Sequence, residues 1–171
     1  MERRNAWLSY NEADEKALEK LAKDYRTFLD NGKTERECVS ELSREAEAAG
    51  YVSLDKKLAS GEKIQTGDKI YAVGMKKIMA LFHIGEDPME KGMNILGAHI
   101  DSPRLDVKQN PLYEDTDLTY LDTHYYGGVK KYHWVALPLA IHGVIVKKDG
   151  TVVNVTVGEA EDDPVVYITD L

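Results

Sequence analysis

Apolar residues recur at helical spacing along the first third of the chain. Asn11 or Ser9 can cap the first helical stretch, and the pair Asn31-Gly32 can end it. Between them the apolar positions are Ala13, Leu18, Leu21, Ala22, Tyr25 and Leu29. This spacing predicts an amphipathic helix.

A second helix is predicted directly after the first. Thr34 and Glu37 have the spacing of a capping box, and Gly50 is placed to follow the end of this helix. Cys38 lies inside it, and no basic group is implied beside it. We therefore expect Cys38 to be a small core residue and not a reactive thiol.

From Gly67 onward the pattern changes to short runs rich in Val, Ile and Tyr, separated by Gly, Pro and Asp. Such runs are typical of β-strands. The Asp149-Gly150 pair predicts a tight hairpin between the last two runs. The candidate strands are residues 69–73, 77–84, 94–99, 104–108, 118–121, 134–146 with a break near Pro138, and 151–157. After about residue 104 no helical pattern intervenes, which predicts a change from a helix-and-sheet layer to an all-β module.

Composition and charge narrow the classes of protein. The chain has 171 residues, 43% of them hydrophobic and 30% charged, which is typical of a globular protein with one domain or parts of two. The net charge of -8 argues against a nucleic-acid partner, whose phosphates need a basic surface. No apolar run approaches the ~18–20 residues of a membrane span. A single cysteine and the absence of an apolar stretch after Met1 lead us to expect a reduced, cytoplasmic protein.

One short segment carries candidate metal chemistry. The apolar run Asn94-Ile95-Leu96 leads into Gly97-Ala98-His99-Ile100-Asp101-Ser102-Pro103. An imidazole at the end of a strand suits zinc, and a carboxylate two residues later can fix its tautomer and basicity. Two alternatives stay open, since His99 could be a hydrogen-bonded structural residue and Asp101-Ser102 could form a turn. One imidazole cannot hold zinc by itself.

These residues resemble the M18 family of zinc aminopeptidases, most closely its bacterial branch. The specific part is the His-x-Asp-Ser-Pro core that begins at His99. The similarity runs from the capped helices to residue 143 and includes Gly67-Asp68-Lys69-Ile70-Tyr71, Gly97-Ala98-His99-Ile100-Asp101-Ser102-Pro103-Arg104-Leu105-Asp106, His124-Tyr125-Tyr126-Gly127-Gly128 and Leu139-Ala140-Ile141-His142-Gly143.

The resemblance implies a fold larger than this chain. Residues 1–104 would form the N-terminal part of an α/β zinc-exopeptidase catalytic domain. Residues 105–171 would form part of a β-rich dimerisation domain inserted into it. Both domains would be incomplete, so we expect the chain to be truncated and inactive alone. The assembly implied is a homo-oligomer built on dimers, such as a dodecamer.

The resemblance also implies an activity, the removal of N-terminal residues from peptides by a zinc-dependent aminopeptidase. His99 aligns with a zinc ligand, and Asp101 aligns with the acidic residue that orients it. The complete site would hold two zinc ions, and the remaining ligands and the general base would lie beyond Leu171. The family includes members that favour acidic N-terminal residues and others that favour neutral ones, and both preferences stay open.

A function from a different class is also open. The β-rich part could serve as a non-catalytic assembly or interaction module. The aromatic residues Tyr125, Tyr126, Tyr132 and Trp134 could then form a subunit interface, or they could be the core of the β module. Stoichiometric zinc would favour the enzyme, and a zinc-free oligomer would favour the assembly module.

Overall fold

The computed structural model describes residues 5–169, which fold as a mixture of helices and strands. The chain separates into two compact units, Met1–His99 and Ile100–Leu171. The first unit contains α1 (Glu12–Asn31), α2 (Glu35–Ala48), β1 (Val52–Ser53), α3 (Leu54–Ser60), β2 (Lys69–Gly74) and β3 (Ile78–His83). The second unit contains β4 (Arg104–Asp115), β5 (Leu118–Tyr126), α4 (Lys131–Trp134), β6 (Ile141–Val146) and β7 (Val152–Val157). Two single 3-10 turns cover Ala6–Ser9 and Met89–Lys91.

Side-chain caps fix where the two long helices begin. The Asn11 side chain accepts hydrogen bonds from the backbone N–H groups of Ala13 and Asp14, and the Asp14 carboxylate accepts one from the Asn11 N–H. Thr34 and Glu37 form the same reciprocal box at the start of α2. These boxes satisfy N–H groups that have no partner inside the helix. Of the two predicted caps for α1, the structure selects Asn11.

Gly50 ends α2 in the predicted manner. Its φ of +86° lies in the left-handed region, which favours glycine. The Gly50 N–H donates to the Glu47 carbonyl at 3.0 Å, and the Tyr51 N–H donates to the Ala46 carbonyl at 2.9 Å. This pair of bonds is a Schellman motif, and it turns the chain from α2 into β1.

The sheet of the first unit has the order β1-β2-β3, with β1 parallel to β2 and β3 antiparallel to it. Helix α2 packs on β2. Among the described residues, all the buried apolar side chains belong to this unit, and they are Cys38, Val39, Ala46, Ile70 and Tyr71. The apolar core of the described part is therefore one small cluster between α2 and β2.

Cys38 is a core residue, as predicted. It is 4% exposed, and its thiol lies 3.4 Å from the Gly32 carbonyl. Burial, together with the nearby carboxylates of Glu37 and Glu35, raises the pKa of the Cys38 thiol. The thiol is therefore protonated near neutral pH, which disfavours reactivity.

The second unit is built from two antiparallel hairpins, β4-β5 and β6-β7. The predicted tight turn before β7 is confirmed, because Gly150 has a φ of +85° and the Lys147 N–H donates to the Thr151 carbonyl at 2.8 Å. An isolated bridge joins Leu139 to Val166. This unit is rich in β-strands, but the prediction of an all-β module is wrong because the short helix α4 lies between β5 and β6.

Some predicted elements are wrong. Residues 94–99 are irregular and not a strand. A strand needs a hydrogen-bonded neighbour, and no described strand pairs with this segment. The predicted strand at 134–146 is also wrong in its first half, because its start belongs to α4 and β6 begins only at Ile141.

Two strands are longer than predicted. β4 continues through Pro111 because the β4-β5 pairing shifts register between Val107 and Leu112, and a bulge tolerates a proline. The prediction of residues 104–108 stopped short of this bulge. β5 extends to Tyr126, five residues beyond its predicted end. In addition, the pattern of apolar residues did not predict α3.

No helix among residues 5–169 is both long enough and apolar enough to cross a membrane.

The division predicted from the resemblance, residues 1–104 and 105–171, concerns domains of a longer protein and stays a prediction.

Candidate metal-binding segment

His99 lies in the irregular segment between β3 and β4, and its side chain is exposed. The apolar residues before it are exposed as well, since Ile95 is 80% and Leu96 100% exposed. The described chain therefore presents His99 on an exposed segment and not at a strand end. Its assignment as a zinc ligand stays a prediction.

Asp101 lies just before β4 and is half-buried. Its Oδ2 atom accepts a hydrogen bond from the Tyr126 hydroxyl over 3.1 Å. Tyr126 is the last residue of β5 and stands opposite Arg104, the first residue of β4. Pairing of the two strands thus brings the Tyr126 hydroxyl to the segment that carries Asp101, across 25 residues of sequence.

Arg104 connects the same residues from the other strand. Its guanidinium carbon lies 4.1 Å from the centre of the Tyr126 ring, within the range of a cation–π contact. Its Nε atom donates to Oδ1 of Asp106 over 2.7 Å. Asp101, Arg104, Asp106 and Tyr126, hereafter the Asp101 cluster, therefore combine two carboxylates, one guanidinium and one phenol at the open end of the β4-β5 hairpin.

Sequence reasoning did not predict the Asp101 cluster. Tyr126 was assigned only to an aromatic group that forms either an interface or a core, and Arg104 had no role. The signal that could have found the cluster is the pairing of β4 with β5, which required the full length of both strands. Tyr125, Tyr126 and Tyr132 are 57%, 39% and 72% exposed, so these three tyrosines are not a core of this unit.

Three other histidines, at positions 83, 133 and 142, have local contacts. His142 lies with its Nε2 atom 3.0 Å from the Glu159 carboxylate, and the His133 ring contacts the Tyr132 ring at 4.2 Å between centres. His83 stands opposite Lys69 in the β2-β3 pair. None of these contacts joins a second histidine or a cysteine.

The donor chemistry fits one part of a zinc site. An imidazole with a carboxylate two residues away is a combination that zinc proteins use. Within residues 5–169, however, no three His, Cys, Asp or Glu side chains are grouped so that they could hold a metal ion. Protein zinc sites use three or four donors. Further donors would have to come from outside the described residues.

Comparison with known proteins agrees with the resemblance to the M18 family. Residues 28–171 match the family model of the aminopeptidase I zinc metalloproteases (M18). The probable M18 family aminopeptidase 1 of Clostridium acetobutylicum is 57% identical over 170 residues, which cover 99% of this chain and 37% of that protein. The protein of the same description from Thermotoga maritima is 42% identical over 171 residues, 100% of this chain and 36% of that protein.

Solved structures of two bacterial aminopeptidases also superpose on this chain. The crystal structure of aminopeptidase I from Clostridium acetobutylicum superposes with a TM-score of 0.83 over 100% of this chain and 38% of that one. Aminopeptidase I from Borrelia burgdorferi, at 38% identity, superposes with a TM-score of 0.88 over 98% of this chain and 41% of that one.

The chain thus spans somewhat more than a third of the length of these relatives. The predicted fold class, a part of a larger α/β protein, is confirmed by the superpositions. The match includes the segment with His99 and Asp101 and the β4-β5 hairpin. The chain therefore belongs to the M18 family of zinc metalloproteases.

Proposed function

We propose that this chain is part of a zinc-dependent aminopeptidase that removes N-terminal residues from peptides. The observation that carries the proposal is the family match over residues 28–171, together with 57% identity to a probable M18 aminopeptidase across almost the whole chain. Because the chain covers 37% of that relative, the activity proposed is that of the complete protein.

Within the proposed site, His99 binds zinc through one imidazole nitrogen. Asp101 accepts a hydrogen bond from the other ring nitrogen, which selects the tautomer and makes the ligating nitrogen a better donor. Bound zinc in such enzymes polarises a carbonyl oxygen and makes water more acidic. Two zinc ions occupy the complete site in this proposal, and the other donors and the general base lie outside this chain.

We also propose that the complete protein is a cytoplasmic homo-oligomer built on dimers, such as a dodecamer. Exposed apolar and aromatic side chains on the β-rich unit support an association role, since such residues are enriched at interfaces. Those on the β4-β5 hairpin include Leu112 at 69%, Tyr113 at 50% and Tyr125 at 57% exposed.

The same exposed surface favours the second candidate function, a non-catalytic assembly module. The two candidates differ in zinc. Stoichiometric zinc in the complete protein would favour the enzyme, whereas a purified oligomer that binds no zinc would favour the assembly module.

The test is a ranking of three variants of the complete protein by kcat/KM on peptide substrates. His99→Ala removes a metal donor, so turnover should be lost. Asp101→Asn keeps the size of the side chain but loses its charge, and should cost about 10–100-fold. His133→Ala, which removes an exposed imidazole in the β-rich unit, is the matched control and should leave kcat/KM unchanged.

Two results would contradict the proposal. Full turnover in His99→Ala would exclude the imidazole from the site. Asp101→Asn indistinguishable from His133→Ala would return Asp101 to the role of a turn residue.

A further inference from the structure

We propose that Tyr126 is a positioning residue of the same site, whose hydroxyl holds the Asp101 carboxylate while Arg104 holds the Tyr126 ring. The inference rests on the proposed function, because it assumes that Asp101 orients a ligating imidazole. It adds two residues, Tyr126 and Arg104, to which neither the sequence pattern nor the family match gives a part in metal binding.

The first step of the argument is the hydrogen bond itself. A carboxylate that orients an imidazole uses one oxygen for the ring N–H, and its rotation is restrained when the other oxygen is also held. The Tyr126 hydroxyl donates to Oδ2 of Asp101. This bond restrains rotation of the Asp101 carboxylate about its Cβ–Cγ bond. At 3.1 Å the bond is long for an O–H···O contact, so a moderate effect is expected.

The second step is what fixes the tyrosine. Tyr126 is 39% exposed, so burial alone does not hold its ring. Backbone pairing with Arg104 sets the direction of its side chain, and the Arg104 guanidinium lies against the ring face. The 2.7 Å bond from Arg104 to Asp106 in turn anchors the guanidinium. Backbone pairing of β4 with β5 therefore fixes the direction of the Tyr126 side chain, and the Arg104 guanidinium contacts the face of its ring.

The third step separates positioning from a purely structural role. If the bond only closed the end of the hairpin, its removal would lower the stability of the fold. Zinc affinity would then fall only because a fraction of the protein is unfolded. A bond that acts through Asp101 changes zinc affinity in the folded protein. It also has no effect once the Asp101 carboxylate is absent. A double-mutant cycle measures this dependence directly.

The experiment uses the complete protein and the variants Tyr126→Phe, Asp101→Ala and their combination. Tyr126→Phe removes the hydroxyl and keeps the ring that contacts Arg104. Tyr125→Phe is the control, because Tyr125 precedes Tyr126 in β5 and alternation puts its side chain on the other face of the hairpin. Zinc affinity is measured by competition with a chromogenic chelator, kcat and KM with a peptide substrate, and folding by the melting temperature.

Tyr126→Phe should weaken zinc binding by about 3–10-fold, less than the effect of about 10–100-fold expected when a direct partner of a metal ligand is lost. It should lower kcat with KM nearly unchanged and leave the melting temperature close to that of Tyr125→Phe. In the Asp101→Ala background the same substitution should change zinc affinity no further.

Three results would overturn the inference. The first is a zinc affinity of Tyr126→Phe equal to that of Tyr125→Phe. The second is a loss of zinc affinity on Tyr126→Phe that is the same with and without the Asp101 carboxylate. The third is a lowered melting temperature of Tyr126→Phe with unchanged zinc affinity. A parallel measurement on His99→Ala keeps this failure distinct from failure of the proposed function. If the unmodified protein binds no zinc, or if His99→Ala binds it equally well, the proposed function fails and the role of Tyr126 fails with it.

Discussion

The exposed pair Ile95 and Leu96 should make the 171-residue chain self-associate. Both lie in the irregular segment before His99, at 80% and 100% exposure. β3 forms one side of the three-stranded sheet and is paired only with β2 among the described strands. An apolar segment and a strand edge without a neighbour are both features through which chains associate.

The size of the effect follows from the exposed fractions. Complete burial of a Leu or Ile side chain is worth about 1.5–3 kcal/mol, so this pair can contribute about 3–5 kcal/mol to an association. Since about 1.4 kcal/mol corresponds to a tenfold change, replacing both by glutamine should raise the dissociation constant by about a hundredfold to a few thousandfold. This is an upper limit, because association also orders the side chains that it buries.

Sedimentation velocity over a concentration series measures this directly. The comparison is between the unmodified chain, the Ile95→Gln/Leu96→Gln variant and Leu58→Gln, which replaces another exposed leucine, at 66% exposure on α3. All three have the same net charge, so a change in electrostatic repulsion does not enter. The reasoning would be refuted by a monomeric unmodified chain with a cooperative melting transition, or by a Leu58→Gln variant that dissociates as readily as the double variant.

Three further predictions concern the activity of the chain, its apolar core and its stability in acid. The 171-residue chain alone should not hydrolyse aminoacyl anilides with added zinc, cobalt or manganese, and turnover that a chelator abolishes and that His99→Ala removes would contradict this. In the Ile95→Gln/Leu96→Gln background, Ile70→Ala should lower the free energy of unfolding in urea by about 2–5 kcal/mol, because Ile70 is 3% exposed. Ile78→Ala, at 67% exposure, should lower it by less than about 1 kcal/mol. Equal losses of unfolding free energy would show that Ile70 is not part of the core. Backbone N–H groups, foremost that of Ala160, lower the pKa of Asp163 in the folded chain. The ionised carboxylate should therefore stabilise the fold fully above the unfolded pKa of about 3.9, and this stabilisation should be lost as the pH falls through the folded pKa. Asp163→Asn should remove this loss of stability at low pH, and a stability-against-pH profile that Asp163→Asn leaves unchanged would contradict the assignment.

Local features were predictable from the sequence because their causes lie within a few residues. The caps at Asn11 and Thr34 each satisfy backbone donors within the next three positions. The turn at Gly50 and the hairpin at Asp149-Gly150 depend on a glycine that adopts a positive φ. Each of these predictions is confirmed.

Elements that depend on distant partners could not be predicted in the same way. Apolar content indicated a strand at residues 94–99, but a strand forms only where another strand pairs with it. Helix α3 has only seven residues, and the Ser53 side chain makes no capping bond, so neither length nor a cap marked it.

The contact between Tyr126 and Asp101 was beyond sequence reasoning for a more specific reason. Counting pairs outward from the β4-β5 turn would place Tyr126 opposite Val107 if the ladder were regular. The irregularity between Val107 and Leu112 moves Tyr126 opposite Arg104 instead. The sequence carried no clear signal for this shift, and the Asp101 cluster depends on it.

The most direct test of the central claim is the zinc content of the complete protein, measured by elemental analysis of purified wild type and His99→Ala alongside His133→Ala. The account predicts a fixed ratio of zinc to subunit in wild type and in His133→Ala, and a reduced ratio in His99→Ala. A full complement of zinc in His99→Ala, or a wild-type protein that cleaves peptides without any bound metal, would contradict it.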